Sequence, residues 1–350
     1  MLRAALLLAG APAAGAPAQD GSASDPGAPV PGFAQQRFDA YTPLASNLEL
    51  ARRLTRPLEN ASLAARMTAL HARLSDQAID LTRERFGMFV PATKPAAGYG
   101  LIVFIPPWDN DAPPEDWIST LGRAGFVFVS AAQSGNDQSP VGRRIPLAIL
   151  AAYNALQRLP IDPARVFITG FSGGARTALR RAVAYPDLFR GALLDAGSDP
   201  IGGADAALPP RDLFERFRTR SVLVYATGAM DQTHLDQEAA SLGAMRRWCV
   251  ANTVSQHIDG LNHDPLPASA LASALRALTT VHAPAPRAER CWSSLVAEVD
   301  AALAAAEQAF ASGDIAGARS KLDALDRKYG GLAAPRSLDL SQRIAAAPAH

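Results

Sequence analysis

The chain has 350 residues, 48% of them hydrophobic and 19% charged, which is enough apolar material for a sizeable core and too much for a disordered polymer. Lys plus Arg number 34 against 33 for Asp plus Glu, a formal net charge of +1, and no run of like charge stands out to hold a polyanion, so nucleic acid is excluded as a first expectation. No apolar run approaches the roughly 20 residues that cross a bilayer, because Arg, Asp, Gly or Pro interrupts every candidate.

In chain order, Met1 to Ala9 carries one positive charge at Arg3 and a short apolar stretch, followed by small residues around Ala14-Gly15-Ala16 and Ala16-Pro17-Ala18. That order of charge, hydrophobe and small-residue cleavage site reads as a secretory signal over 1–18, and a periplasmic or secreted location follows. Residues 19–32 are rich in Pro, Gly, Ser and Asp, with little to bury, and read as a disordered linker. Export would bring the two cysteines, Cys249 and Cys291, into an oxidising compartment. A bridge between them closes a loop of roughly 40 residues and contributes about 3 to 4 kcal/mol in the chain-entropy model. In a reducing compartment they would instead be two buried thiols.

Residues 33–79 read as an N-terminal helical segment: Leu48, Leu50 and Leu54, then Leu63, Met67, Leu70 and Leu74, recur at helical spacing on either side of Pro57. From residue 80 to 285 short apolar runs alternate with helix-like stretches. The runs are Arg85 to Val90, Leu101 to Ile105, Phe126 to Ser130, Val166 to Thr169, Ala192 to Leu194, Val222 to Ala226 and Val254 to Ile258. The middle five are almost purely apolar, as expected for parallel strands covered on both faces, so the fold class is α/β, a doubly wound, mostly parallel sheet. Arg85 to Val90 and Tyr99 to Ile105 are joined by Pro and Gly turns and predict an antiparallel pair opening that sheet. Residues 290–346 predict a C-terminal helical hairpin, Ser294 to Phe310 and Ile315 to Tyr329 about a Ser312-Gly313-Asp314 turn. It resembles one tetratricopeptide-type repeat. About three repeats are needed for such an array to stand alone, so packing against the α/β body is expected, with protein-partner binding as the lesser expectation.

The strongest chemical signal is RVFITGFSGGART, residues 165 to 177. An apolar strand runs into Gly170-Phe171-Ser172-Gly173-Gly174 and then into a helix-compatible segment. Glycines on either side of Ser172 permit the tight strand-to-helix turn that lifts a hydroxyl clear of the backbone, and the helix start behind it favours developing negative charge. A phosphate-binding turn is the rival reading, but the G-x-x-x-x-G-K pattern is absent. A serine needs a base, and the base needs an acid to hold its tautomer. Asp231 follows the strand Val222 to Ala226 and His263 follows Val254 to Ile258, on the sheet edge where open α/β sheets bind ligands, so Ser172, Asp231 and His263 form the expected triad.

Among the other candidates, His257 lies within a strand and reads as half-buried packing, while His234 reads as a pocket-lining residue. His71, His282 and His350 read as solvated. Asp195 or Asp199 is the rival acid, and Asp264 sits too close to His263 to fold back on it. The oxyanion requires two N-H donors. Gly173 is the first. The loop after Ile105 begins Pro106-Pro107, which have no N-H, so Trp108 is the first residue there able to donate. Phe171 and Trp117, with Trp108, are expected near the mouth as an apolar platform, and the acidic residues of 109–116 are expected to be solvated.

With IDPARVFITGFSGG, ATGAMD and GLNHDP in place, the stretch from about Arg85 to His282 resembles the polyhydroxybutyrate-depolymerase-like and feruloyl-esterase-like branch of the α/β-hydrolase superfamily. The resemblance implies the α/β-hydrolase fold and a secreted serine esterase acting on small or polymeric esters, with no cofactor and no metal. It departs from the usual pattern where Pro106-Pro107 stands in place of His-Gly. A prolyl-oligopeptidase-like peptidase and a non-catalytic binding protein on a hydrolase scaffold are the alternatives.

Overall fold

A computed structural model describes residues 32–71, 75–203, 206–280 and 286–347. The expected signal segment, most of the expected linker, His282 and His350 lie outside the described residues.

Eight strands form one sheet: β1 (Gly32–Gln36), β2 (Phe86–Val90), β3 (Tyr99–Ile105), β4 (Phe126–Ala131), β5 (Ile161–Phe171), β6 (Gly191–Asp195), β7 (Val222–Gly228) and β8 (Thr253–Ile258). Their order is β1-β2-β4-β3-β5-β6-β7-β8, with β2 antiparallel to both its neighbours, β1 and β4, and every other pairing parallel. This is the α/β-hydrolase arrangement. The apolar runs from β3 to β7 are buried on both faces because helices cover both. Alternate side chains divide between two cores: Leu101, Val103 and Ile105 join one, and Ile102 and Phe104 the other. The first core is covered by α4 (Ile145–Arg158), α5 (Gly173–Ala184) and α6 (Arg211–Arg220), the second by α3 (Trp117–Ala124) and α8 (Ala268–Thr279).

The sheet corrects two expectations. β2 does not pair with β3; it pairs with β4, and β3 lies between β4 and β5. Both flanks of β3 are filled by parallel neighbours, and a Cβ on Gly100 would lie 2.2 Å from the Phe126 ring of β4. Sequence adjacency suggested a hairpin, whereas crossovers through α3 and α4 supply the true neighbours. The second correction is β1. Gly32–Gln36, expected at the end of a linker and the start of a helical segment, adds an antiparallel edge strand to β2. Its GFAQQ sequence has no β-alternation to announce it, and only the partner strand makes it one.

Two helices follow β1, α1 (Asn47–Leu54) and α2 (Pro57–Ala69), although Leu48 and Leu70 on the expected stripe are exposed. After α7 (Gln232–Arg247), β8 and α8, the chain ends in the expected hairpin, α9 (Pro286–Ala311) and α10 (Ile315–Tyr329), followed by a third helix, α11 (Arg336–Ala346). Their apolar faces, including Leu295, Val299, Leu303, Leu322, Leu325, Leu340 and Ile344, belong to the same core as α4 to α6. Arg218 of α6 makes a two-pronged pair with Glu289 at 2.9 Å, Arg211 reaches Asp300 at 2.7 Å, and Asp326 of α10 accepts from the Leu58 amide of α2 at 3.1 Å. A disulfide joins Cys249 to Cys291, with Cα atoms 5.6 Å apart, and ties α9 to the end of α7. Among the described residues no helix is long and apolar enough to cross a membrane.

Candidate active site

The carboxyl ends of β5, β6, β7 and β8 lie along one edge of the sheet. β5 ends at Phe171 and α5 begins at Gly173, so Ser172 alone makes the turn, at φ 54° and ψ −121°. A side-chain-bearing residue at positive φ is strained, and the turn persists because its surroundings are closely built. The Ser172 amide donates to the Asp195 carbonyl at 2.8 Å. A Cβ on Gly170 would lie 2.3 Å from the Gly174 carbonyl carbon, and one on Gly174 only 1.9 Å from the Ile105 oxygen. Those two positions exclude any side chain. Gly173 opens α5, where a helix has no preceding carbonyl for its first amides.

Asp231 is the N-cap of α7 and His263 lies in the loop beyond β8. The two loops are joined by hydrogen bonds from the Ala229 amide to the Ile258 carbonyl, 2.9 Å, and from the Met230 amide to the Leu261 carbonyl, 3.0 Å. His263 Nδ1 lies 2.7 Å from Asp231 Oδ2, and its Nε2 lies 3.0 Å from Ser172 Oγ. Thus a carboxylate, an imidazole and a hydroxyl stand in one hydrogen-bonded line. Burial pushes the Asp231 carboxyl up, but hydrogen bonds from His234 and His263 outweigh it and hold the group below the ordinary carboxylate value.

His234, one turn into α7, does more than line the pocket. Its Nδ1 lies 2.9 Å from Asp231 Oδ1, and its ring stacks on that of His263 with centroids 4.1 Å apart and 9° between planes. Asp231, His234 and His263 are also the residues here whose ligand atoms lie close enough together to hold a metal.

The rival acids are engaged elsewhere. Asp199 pairs with Arg180 at 3.0 Å. Asp195 is fully buried, burial drives its carboxyl well above the ordinary value, and its Oδ2 accepts from the Leu266 amide at 3.0 Å. That bond props the loop that carries His263. Trp117 supports the same loop from the other side, donating through Nε1 to the Leu266 carbonyl at 2.9 Å. It is wholly buried, so the expectation that it lines the mouth is wrong: its indole N-H finds a partner only inside. His257 is likewise not a packing residue. It sits on the edge strand with its side chain 54% exposed and meets Glu238 at 3.1 Å.

Phe171 and half-buried Trp108 do lie by the site. Their rings are 6.1 Å apart, and Phe171 is 4.8 Å from the His263 ring. The acidic loop is less solvated than expected: Asp109 Oδ1 accepts from the Gly135 amide at 3.2 Å, and buried Asp111 accepts from Gln35 at 3.2 Å.

Two residues that the sequence did not single out shape the region of the missing His-Gly. Asn136 N donates to the Pro107 carbonyl at 3.0 Å, and its side-chain amide lies against Gly173, where a Cβ would come 2.3 Å from Oδ1. Buried Arg144, whose charge is held down to about 10 by desolvation, donates to the Pro106 carbonyl at 2.9 Å, the Ser134 carbonyl at 2.8 Å and Thr177 Oγ1 at 3.2 Å. It binds both loops to α5. Neither residue follows a motif, and only the closeness of Asn136 and Arg144 to the elbow reveals them.

Neither a family model nor a curated protein matches the sequence. Solved structures do. A ferulic acid esterase is 16% identical over 56% of this chain and 91% of its own, with a TM-score of 0.39. The S-formylglutathione hydrolase FrmB of Staphylococcus aureus is 13% identical over 56% and 89%, TM-score 0.42. An acetyl xylan esterase from Aspergillus awamori is 16% identical over 56% and 95%, TM-score 0.39.

Proposed function

We propose that this chain is an exported serine hydrolase that cleaves carboxylic esters through an acyl-enzyme. The observation that carries the reading is the unbroken line from Asp231 Oδ2 through His263 to Ser172 Oγ, at 2.7 and 3.0 Å, ending at a hydroxyl raised on a strained elbow. With Nδ1 protonated toward Asp231, His263 presents a lone pair on Nε2 and takes the hydroxyl proton as Oγ attacks the ester carbonyl. The carboxylate, held in its anionic form, stabilises the imidazolium that results. The tetrahedral oxygen is met by the Gly173 N-H and by a second donor beside the Pro106-Pro107 loop, either the Trp108 N-H or the side-chain amide of Asn136. His263 then returns the proton to the leaving alcohol, and a water activated by the same imidazole releases the acid. Phe171 and Trp108 offer an apolar wall to the acyl or alcohol group.

Export is supported by the N-terminal pattern together with the disulfide. The decisive experiment is labelling with a fluorophosphonate probe alongside p-nitrophenyl ester turnover. The wild-type protein is expected to be labelled and active and Ser172→Ala to be neither. A wild-type protein inert to both overturns the reading, and turnover of fluorogenic peptides in preference to esters moves it to a peptidase.

A further inference from the structure

Ester hydrolysis by the line above employs one imidazole, yet the site holds two. His234 and His263 both turn Nδ1 toward the same carboxylate, at 2.9 and 2.7 Å, with their rings stacked 4.1 Å apart. One ligand atom from each of Asp231, His234 and His263 lies within 4.8 Å of the others. We propose that these three residues form a binding site for a divalent transition metal of the zinc type, and that occupation of the site switches hydrolysis off. Ion binding stands independently of the proposed activity; only the consequence for turnover rests on it.

The donor set is two imidazoles and a carboxylate, the composition that suits zinc and its neighbours rather than magnesium or calcium, which prefer oxygen alone. Metal bonds of about 2.0–2.2 Å in tetrahedral geometry put neighbouring ligand atoms roughly 3.3 Å apart. The present nitrogen-to-oxygen distances are 2.7 and 2.9 Å and the two rings lie 9° from parallel, so binding requires one imidazole, the more exposed His263, to turn out of the stack until both Nδ1 lone pairs meet at the ion. Asp231 and His234 are three residues apart at the start of α7, which makes a rigid two-pronged chelate, and the adjoining loop supplies the third ligand. Asp231 and His234 are 6% and 13% exposed, so their attraction for a cation is little screened, whereas His263 at 37% leaves a way in and room for a water as fourth ligand.

Inhibition follows from proton placement. A metal that takes the Nδ1 lone pair of His263 requires the ring proton to move to Nε2, and the ring stays neutral. Nε2 then donates toward Ser172 Oγ, and a donor cannot accept the hydroxyl proton.

The test uses protein freed of any histidine tag. Titration of Ser172→Ala with ZnCl2 by calorimetry is expected to show one ion per chain that MgCl2 does not replace. Adding His234→Gln is expected to weaken binding by more than about 100-fold, because even losing an outer partner of a metal ligand costs roughly 10- to 100-fold. CoCl2 is expected to give the visible bands of tetrahedral cobalt in the protein with all three ligands, a readout that needs no variant to fold. In the wild-type enzyme ZnCl2 should abolish ester turnover, EDTA should restore it, and the His234→Gln enzyme, scaled to its own uninhibited rate, should resist. Zinc affinity unchanged by His234→Gln, or an octahedral cobalt spectrum, overturns the proposal. Intact zinc binding in a protein without esterase activity would instead refute the hydrolase reading and leave the metal site standing.

Discussion

Replacing Asp231 by Asn separates the charge of the acid from its shape. Asn caps a helix as well as Asp does when its oxygen takes the place of Oδ1, which accepts from the His234 amide at 3.4 Å, and its NH2 group then faces His263. In the opposite orientation the amide oxygen faces His263 Nδ1, but the NH2 group meets the His234 amide, so the cap bond is lost and His234 must adopt the other tautomer. What is lost in either orientation is the negative charge beside the imidazolium of the transition state. At about 4 Å and an effective dielectric near 20, that charge contributes roughly 4 kcal/mol, or about three powers of ten in rate. If the amide instead turns its NH2 toward His263, the catalytic tautomer is lost too and the fall approaches roughly 10⁴. Asp231→Asn should therefore lower kcat for a p-nitrophenyl ester by about 10³ to 10⁴, with KM changed little and the melting temperature close to wild type. Fluorophosphonate labelling should slow in parallel. Turnover within about tenfold of wild type would refute the acid role of Asp231 and the electrostatic argument with it.

Asp195 carries a carboxyl whose proton affinity is raised by burial, so the folded state favours the neutral form and loses stability as pH rises above the ordinary carboxyl value toward the folded one. Asp195→Asn keeps an acceptor for the Leu266 amide and should raise the melting temperature, with a gain that grows from pH 5 to pH 8; a gain that shrinks over that range refutes it. Removing the disulfide by Cys249→Ala with Cys291→Ala frees a loop closed over 42 residues and should cost about 4 kcal/mol, read as a lower denaturant midpoint; an unchanged midpoint would show that the α6 and α9 contacts suffice. Gly174→Ala sets a Cβ against the Ile105 carbonyl and should cost about 1–3 kcal/mol or more. Gly173→Ala meets first the exposed, movable end of the Asn136 side chain rather than backbone, so stability should change by less than about 0.5 kcal/mol while kcat falls; equal thermal loss in both variants would contradict this reading of the elbow.

The strand-elbow-helix passage around Ser172 was legible because its requirements are local: an apolar run, glycines where a Cβ meets backbone, and a helix start, all within 13 residues. The parallel core strands were legible for the same reason, since burial on both faces demands uninterrupted apolar runs. The residues brought together at the site were narrowed by loop position after successive strands. The settings of Trp117, Asp195 and His257 are not legible in this way, because burial depends on which neighbour covers a residue and nothing in the local sequence records that neighbour. Trp117 and Asp195 face the same buried stretch at Leu266 from different elements, about 149 and 71 residues away along the chain.

The chain's own residue pattern determined the fold class, the position of the raised hydroxyl and the expectation that Asp231 and His263 share its edge of the sheet. Tertiary structure alone decided that β4 separates β2 from β3, that β1 is a strand at all, that Arg144 and Asn136 hydrogen-bond to the Pro106 and Pro107 carbonyls, and that His234 stacks on His263. Periodicity reports how each segment meets water and core. Which distant segments meet one another is settled only when many weak preferences are satisfied together in a single packing.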